Sequence, residues 1–275
     1  MYERILLKTL KTKLFSGKAL IIIGARQTGK TTLVQKLLAE QTSLIVRSFN
    51  CDNPTDRDLL SNRDLEFLTK LVADASIIFI DEAQKVKGIG ETIKLLVDHY
   101  KTKKQIIVSG SSSINLLDAT QEPLTGRKFV YHLHPLSMEE IFPDKNQLQI
   151  QKELQTLLVY GAYPEVVSAK SLDSKRDLLN ELSSSYIYKD ILEFQLLKNP
   201  EHLRKLLKAL ALQIGSQVSY TELSGLLGID QKTVERYVDL MEKNFLIFRL
   251  PPFSRNKRKE ISKQNKIYFY DLGIR

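Results

Sequence analysis

The sequence predicts an α/β protein whose first half is a parallel β-sheet covered by helices on both faces. Two observations predict this fold class. Continuous apolar runs alternate with stretches of helical periodicity over the first half of the chain, and a glycine-rich turn joins the first apolar run to the next helix. Continuously apolar strands are typical of parallel sheets, because such sheets are buried on both faces. From residue 201 the pattern changes to short helices and two short strands, which indicates a second region.

Five strands and the helices between them are predicted from these runs. The predicted strands are Ala19–Ile23, Ser43–Phe49, Ser76–Ile80, Gln105–Val108 and Phe129–His134. The predicted helices are Thr31–Ala39, Asp58–Ala73, Ile93–Tyr100 and Ile114–Ala119. The N-terminal stretch MYERILLKTLKTKLF distributes charged residues among apolar ones, so we expect an amphipathic helix before the first strand.

Composition limits the kind of protein. Of the 275 residues, 43% are apolar, which is ordinary for a chain that buries a core. A single cysteine, Cys51, excludes an internal disulfide framework, and the uncharged apolar runs are far shorter than a membrane span. We therefore expect a cytoplasmic protein without a membrane partner. The net charge of +9 favours polyanionic partners.

The turn after the first strand contains the stretch GARQTGKT. Residues 24–31 fit the P-loop pattern G-x-x-x-x-G-K-[ST] in full. In this pattern the glycines let backbone N–H groups converge on phosphate oxygens at the positive N-terminal end of a helix. Lys30 is expected to contact the β- and γ-phosphates, and Thr31 to ligate Mg²⁺. The sequence therefore predicts that ATP or ADP is bound with Mg²⁺ by Gly24, Ala25, Arg26, Gln27, Thr28, Gly29, Lys30, Thr31 and Thr32.

Two acids follow the third predicted strand, in the stretch IIFIDEAQ. Asp81 and Glu82 come at the carboxyl end of this strand, where open parallel sheets place their ligands. We expect Asp81 to hold magnesium, and Glu82 to orient or deprotonate an attacking water. An acid directly after the aspartate favours hydrolysis over phosphotransfer to a small molecule. The sequence therefore predicts an ATPase rather than a P-loop kinase.

Two further positions are candidates for contact with the γ-phosphate. Small hydroxyl residues end the fourth strand, and spacing alone does not choose between Ser109 and Ser111 as the residue that senses this phosphate. Arg127 directly precedes the fifth strand, where AAA-type ring ATPases carry an arginine finger that reaches a neighbouring subunit. Arg127 is therefore either a finger acting in trans, which requires a homo-oligomer, or an exposed structural arginine.

Six motifs in order resemble a widespread group of predicted prokaryotic AAA-type ATPases. They are GARQTGKTTL, IIFIDEAQKV, VSGSSS, LTGR, HPLSMEEIF and GAYPEVV. The resemblance implies a P-loop ATPase sheet in strand order 5-1-4-3-2, then a helical segment and a winged helix. Members of this group continue into a nuclease-like domain beyond the match to YFYDLGIR, whereas this sequence stops at Arg275. We expect either a truncation or a natural lack of that domain, and we assign no nuclease residues.

Three regions are expected along the chain. They are a P-loop AAA-type ATPase domain at residues 1–145, a helical lid or linker at 146–200, and a winged helix-turn-helix domain at 201–275. Helical spacing predicts helices at Leu148–Ser168 and Ser171–Leu197, with YGAYPEV as a break, and we expect these helices to cover the nucleotide as a lid.

The last region has features of a DNA-binding module. Ser219 and Asp230 are expected to be the N-caps of two successive helices, and Gly228 to end the first of them. An apolar stripe on the second helix leaves Lys232 and Arg236 facing out, on the helix that enters the major groove in DNA binders. A basic loop between the two strands would contact phosphates through Arg255, Lys257, Arg258 and Lys259.

Two functions of different class therefore follow from the sequence. The first is a DNA-associated ATPase that remodels or loads onto nucleic acid. The second is a nucleotide-gated signalling switch, in which the winged helix contacts protein and retains the ADP state. The basic loop favours the first function, although winged helices in ATPases also serve as packing modules.

Overall fold

The chain forms two compact units, Met1–Ile141 and Phe142–Arg275. The computed structural model describes residues 2–111, 120, 123–144, 146–192, 200–253 and 264–275, with the backbone alone for 184–192 and 200. The predicted helix Ile114–Ala119, the end of the predicted helix Ser171–Leu197 and the basic loop with Arg255, Lys257, Arg258 and Lys259 lie outside the described residues.

The first unit is built on a five-stranded parallel sheet. Its strands lie in the order β2-β3-β4-β1-β5, which confirms the expected order 5-1-4-3-2. The strands are β1 (Ala19–Ile23), β2 (Val46–Asn50), β3 (Ile77–Asp81), β4 (Gln105–Gly110) and β5 (Lys128–His132).

Burial explains why these runs form strands at the centre of the sheet. All residues of β1 and β4 are buried, as are the first four residues of β3. β1 pairs with β4 on one side and with β5 on the other, so both of its edges are hydrogen-bonded within the sheet. The continuous apolar runs therefore correspond to strands that water reaches from neither face.

Helices cover the sheet of the first unit. They are α1 (Ile5–Lys13), α2 (Lys30–Ala39), α3 (Pro54–Ser61), α4 (Leu65–Leu71), α5 (Ile89–Tyr100) and the short α6 (Met138–Ile141). Leu7 and Leu10 of α1 belong to one buried cluster with Leu33 and Leu37 of α2 and Ile22 of β1. The expected amphipathic N-terminal helix is thus confirmed, and its apolar face packs beside the helix that follows the P-loop.

The single helix predicted at Asp58–Ala73 is wrong, because the chain forms two helices there. α3 ends at Ser61, and Asn62 has an extended backbone. Asp64 then caps α4, and its side chain accepts a hydrogen bond of 2.7 Å from the Phe67 N–H. The apolar spacing continued across the break, but an aspartate that bonds a nearby backbone N–H favours a helix start over a helix interior.

The second unit is mainly helical and ends in a small antiparallel sheet. Its helices are α7 (Gln147–Tyr160), α8 (Pro164–Ser168), α9 (Leu172–Leu192), α10 (Pro200–Leu212), α11 (Tyr220–Leu227) and α12 (Gln231–Lys243). Strands β6 (Ile247–Leu250) and β7 (Lys266–Phe269) pair in antiparallel orientation. None of the helices in the described part of the chain is long and apolar enough to cross a membrane.

The signals that delimit α11 and α12 act as predicted. Ser219 accepts a hydrogen bond from the Glu222 N–H, and Asp230 accepts one from the Thr233 N–H. Gly228 ends α11 in the left-handed region at φ 65°. The α12 stripe of Val234, Tyr237, Val238 and Met241 is buried. These helices begin and end as predicted because short polar side chains are favoured at N-caps and glycine is favoured at a left-handed C-cap.

Arg236 differs from its expected orientation. The sequence places it on the outward face of α12 with Lys232, which is exposed. Arg236 is instead half-buried, and its guanidinium carbon lies 5.7 Å from the centroid of the Tyr237 ring. Helical spacing predicts which face of a helix a residue lies on, but it does not reveal how far that residue is covered.

The break between α3 and α4 gives a stability test. Asp64→Ala should lower the free energy of unfolding by about 1 kcal/mol, because the Phe67 N–H loses its cap. Asp58→Ala removes an exposed aspartate from α3 and should change the same quantity by less than about 0.5 kcal/mol. Urea unfolding followed by circular dichroism compares the two variants. Equal effects would contradict the assigned start of α4.

Candidate nucleotide-binding site

The P-loop occupies the turn between β1 and α2, at the carboxyl edge of the sheet. Gln27 and Gly29 both have left-handed backbones, at φ 57° and 89°. α2 begins at Lys30, directly after Gly29. Left-handed residues in such a turn let successive N–H groups face one concavity, and the helix end adds its positive dipole. The local backbone is therefore that of an anion cradle.

Gly24 is required by a close approach of two backbones. A Cβ placed on Gly24 would lie 2.1 Å from the carbonyl oxygen of Leu133. The Leu133 N–H donates to the Ile23 oxygen at 2.7 Å, so the chain after β5 is held against the start of the P-loop. The first glycine of the motif thus serves the sheet as well as the phosphate cradle.

Arg4 ties the P-loop to the residues that follow β5. Its guanidinium donates to the Thr28 oxygen and to the His134 oxygen, each at 2.6 Å, and to Glu140 Oε1 at 3.1 Å. The Arg4 and Glu140 side chains are 10% and 6% exposed, so this is a buried pair. A planar guanidinium with several donors fixes the position of the groups that it bonds. A charged residue in an apolar stretch is the one sequence signal for this role.

Lys30 lies inside the loop. It is 5% exposed, and its Nζ donates to the carbonyl oxygens of Gly24 and Ala25 at 2.9 and 2.8 Å. A buried ammonium needs such acceptors, since an uncompensated buried charge is costly. The interaction also holds the ammonium at the concave side of the loop, where phosphate would lie.

Asp81 connects three elements at the end of β3. Its Oδ2 accepts a hydrogen bond of 2.8 Å from Thr31 Oγ1, and its Oδ1 accepts from the Ser109 hydroxyl and from the Glu82 N–H. A hydroxyl and a carboxylate in contact beside a phosphate cradle fit Mg²⁺, which prefers oxygen ligands and keeps part of its shell for water and phosphate. Thr31 and Asp81 are therefore brought together as predicted for metal ligands.

Glu82 has a restricted position. Its backbone is left-handed, at φ 52°, and its side chain is half-buried. Its Oε2 accepts from Gln84 Nε2 at 2.5 Å and from Ser111 Oγ at 3.3 Å. The two candidate serines therefore have different partners, Asp81 for Ser109 and Glu82 for Ser111. The role of γ-phosphate sensor stays a prediction for both serines.

A concave pocket of about 350 Å³ opens over the P-loop. It is lined by Arg26, Gln27, Gly29, Lys30, Thr31, Thr32, Asp52, Glu82 and Lys85. The pocket thus joins residues from the P-loop with Glu82, although the two are about 50 residues apart in the chain. Sequence reasoning missed Asp52 and Lys85. Both follow strands that end at this edge, and that position was the available signal.

Arg127 lies away from this pocket. It precedes β5, so it is at the amino edge of the sheet, whereas the P-loop is at the carboxyl edge. Its Nε is 2.5 Å from Asp98 Oδ1 in a partly exposed ion pair. Arg127 cannot reach the phosphates of its own subunit from this edge, so any catalytic role has to be in trans.

Two family models match the chain. Residues 16–142 match a family described as AAA domain, and residues 151–275 match a domain of unknown function (DUF8612). The first match covers β1 to α6, which includes the P-loop, the Asp81–Glu82 pair and Arg127.

Two relatives match almost the whole of this chain. An uncharacterized protein of Mycobacterium tuberculosis is 25% identical over 96% of this chain and 57% of its own length. One of Methanocaldococcus jannaschii is 23% identical over 98% of this chain and 64% of its own. The chain thus spans less than two thirds of either relative.

A solved structure shares the fold. A Walker-type ATPase of Pyrococcus abyssi has a TM-score of 0.61 at 15% identity, over 100% of this chain and 95% of that one. Identity at this level shows the fold alone. Together with the AAA match and the site geometry, it supports an AAA-type P-loop ATPase domain in the first half of the chain.

Proposed function

We propose that this protein hydrolyses ATP to ADP and phosphate with Mg²⁺, and that its second unit associates with DNA. The observation that carries the hydrolytic part is the shared pocket of Lys30 and Glu82. Asp81 lies one residue before Glu82 and contacts Thr31. A phosphate-binding cation, a magnesium-ligand pair and a carboxylate placed beside them are the parts that ATP hydrolysis requires.

Each residue has a defined role in this reaction. Lys30 would exchange the carbonyl oxygens of Gly24 and Ala25 for the β- and γ-phosphate oxygens. Glu82 would accept a proton from water as the water oxygen bonds to the γ-phosphorus and the bond to the bridging oxygen of ADP breaks. Magnesium, held by Thr31 and Asp81, would neutralise the charge on the phosphates.

Arg127 is proposed to complete the site of a neighbouring subunit. It is partly exposed and paired with Asp98 on the surface, and exposed pairs of this kind contribute little net stability. The guanidinium can therefore exchange Asp98 for a phosphate of another copy at small cost.

The DNA association is proposed from the arrangement of the second unit. Helices α11 and α12 are followed by the β6–β7 pair, and an isolated bridge joins Gln217 to Lys266 beside it. We interpret two helices followed by an antiparallel pair as a winged helix-turn-helix, whose second helix would enter the DNA groove. Lys232 is exposed near the start of α12. In helix-turn-helix proteins the residues at the start of the second helix contact base edges in the DNA groove.

One observation favours the second candidate function, in which this unit binds protein. The acids Asp239 and Glu242 of α12 are paired with Arg249, and Glu235 is exposed on the same helix. A helix that carries acids beside its bases is less suited to a phosphate backbone than a purely basic one. The switch function predicts retained ADP and negligible turnover by the isolated chain.

The hydrolytic role is tested on Glu82. Glu82→Gln should keep ATP binding and slow phosphate release by about a hundredfold or more, since it removes a positioned base. Glu139→Gln, at an exposed glutamate of α6, is the matched control and should hydrolyse like the parent. Lys30→Ala should weaken nucleotide binding itself, and chelation of magnesium should stop turnover. Normal hydrolysis by Glu82→Gln would exclude its assigned role.

The role of Arg127 is tested by mixing variants. If it acts in trans, specific activity should rise with protein concentration. Inactive Arg127→Ala mixed with inactive Lys30→Ala should then recover part of the turnover, because each supplies what the other lacks. Asp98→Ala releases the arginine without removing it and should remain active. A constant specific activity without recovery in the mixture would leave Arg127 a structural residue.

The DNA role is tested by salt dependence. The logarithm of duplex affinity should fall with the logarithm of salt concentration at a slope of about −0.9 per neutralised phosphate. Alanine at Arg255, Lys257, Arg258 and Lys259 together should weaken binding to all sequences and flatten this slope by about 2–4. Loss of the exposed Lys232 should instead reduce sequence preference.

The quadruple variant must melt like the parent and bind ATP. Unchanged DNA affinity in this folded variant, or salt-insensitive binding by the parent, would reject the DNA association and favour the protein-binding switch.

A further inference from the structure

A third cationic side chain lines the nucleotide pocket, in addition to the two that the P-loop supplies. Lys85 lines the pocket together with Arg26 and Lys30 of the P-loop. Lys85 ends the short 3-10 turn that begins right after Glu82, and its backbone N–H donates to the Glu82 oxygen at 3.0 Å. The turn therefore presents a carboxylate and an ammonium to the same space, three residues apart.

Asp52 holds this lysine in the structure. The Cys51 N–H donates to the Asp81 oxygen at 3.0 Å, which continues the β2–β3 ladder one residue past Asn50. Asp52 then leaves the sheet at its carboxyl edge, and its Oδ1 lies 2.5 Å from Lys85 Nζ. The ion pair thus spans the rim of the pocket between the turns that follow β2 and β3.

The pair is weak enough to exchange partners. The side chains of Lys85 and Asp52 are 34% and 55% exposed, and ion pairs with this exposure add little net stability. A terminal phosphate carries more charge and more acceptor oxygens than one carboxylate, so it competes well for the same ammonium. The side of the pocket near Glu82 is where the terminal phosphate of a triphosphate would lie, since Glu82 is the residue placed to activate water.

We propose that Lys85 is a further catalytic residue, which leaves Asp52 and bonds the γ-phosphate when ATP is bound. ADP lacks this phosphate and leaves the lysine on Asp52. Lys85 therefore makes the site prefer ATP over ADP, and it links the triphosphate state to the turn after β2. This inference rests on the proposal that the pocket binds ATP.

The test compares the affinity for ATPγS with the affinity for ADP, both with Mg²⁺, by titration calorimetry. Lys85→Gln should weaken ATPγS binding by about tenfold, the size expected for one charge-assisted hydrogen bond, and leave ADP binding within about threefold. Lys87→Gln is the matched control, because Lys87 is an exposed lysine two residues after Lys85 that does not line the pocket. Lys85→Arg should restore most of the preference for ATPγS.

Asp52→Asn separates this role from a purely structural one. It breaks the same ion pair but leaves the lysine, so it should keep the preference for ATPγS. Loss of preference in Asp52→Asn equal to that in Lys85→Gln would show that only the ion pair matters and would overturn the proposal. Equal behaviour of Lys85→Gln and Lys87→Gln would also overturn it. If the parent protein bound neither nucleotide, the proposed ATPase function itself would fail.

Discussion

The hydrogen bond between Thr31 and Asp81 is the interaction on which the arrangement of the site depends. The two residues are 50 positions apart, and their oxygens lie 2.8 Å from each other. Thr31 follows β1 and Asp81 ends β3, which are separated in the sheet by β4. The contact therefore depends on the position of β4 between β3 and β1. It also depends on the parallel orientation of the three strands, which brings their carboxyl ends to one edge of the sheet. Ser109 at the end of β4 fills the gap and bonds the same carboxylate.

Charge compensation explains how this edge stays folded around so many ionic groups. Lys30 is satisfied by loop carbonyls, Arg4 by two backbone oxygens and Glu140, and Lys85 by Asp52. These interactions differ in burial, and burial decides which can change. The Arg4–Glu140 pair is nearly inaccessible, so breaking it would leave a buried charge and is costly. Lys30 and Lys85 themselves line the pocket, so each can exchange its partner for phosphate. The fixed contacts hold the loop, and the exchangeable ones respond to the ligand.

The ends of helices α11 and α12 in the second unit follow local rules. Ser219, Gly228 and Asp230 begin and end helices through hydrogen bonds and backbone conformations that involve a few neighbouring residues. Such capping signals can be recognised in the sequence. Asp271 is different, since it accepts hydrogen bonds from the N–H groups of Ala162 and Gly273. Burial raises the pKa of this carboxyl, and the two N–H groups oppose the shift. A contact between residues 109 positions apart has no sequence signal of its own.

The sequence by itself predicted the strands, the P-loop and the Asp81–Glu82 pair. The resemblance to the ATPase family predicted the order of the strands in the sheet. These features depend on apolar periodicity, glycine conformation and residue type over a few positions. All three can be read directly from the sequence. It did not determine that Asp64 starts a new helix or that Arg236 is half-buried, because spacing describes a helix face and not what covers it. Only the tertiary structure showed that Arg4 holds the P-loop and that Ser111 bonds Glu82. It likewise placed Asp52 and Lys85 at the same pocket. The physical reason is that these contacts join elements distant in sequence, and their partners are chosen by how the strands end at one edge of the sheet.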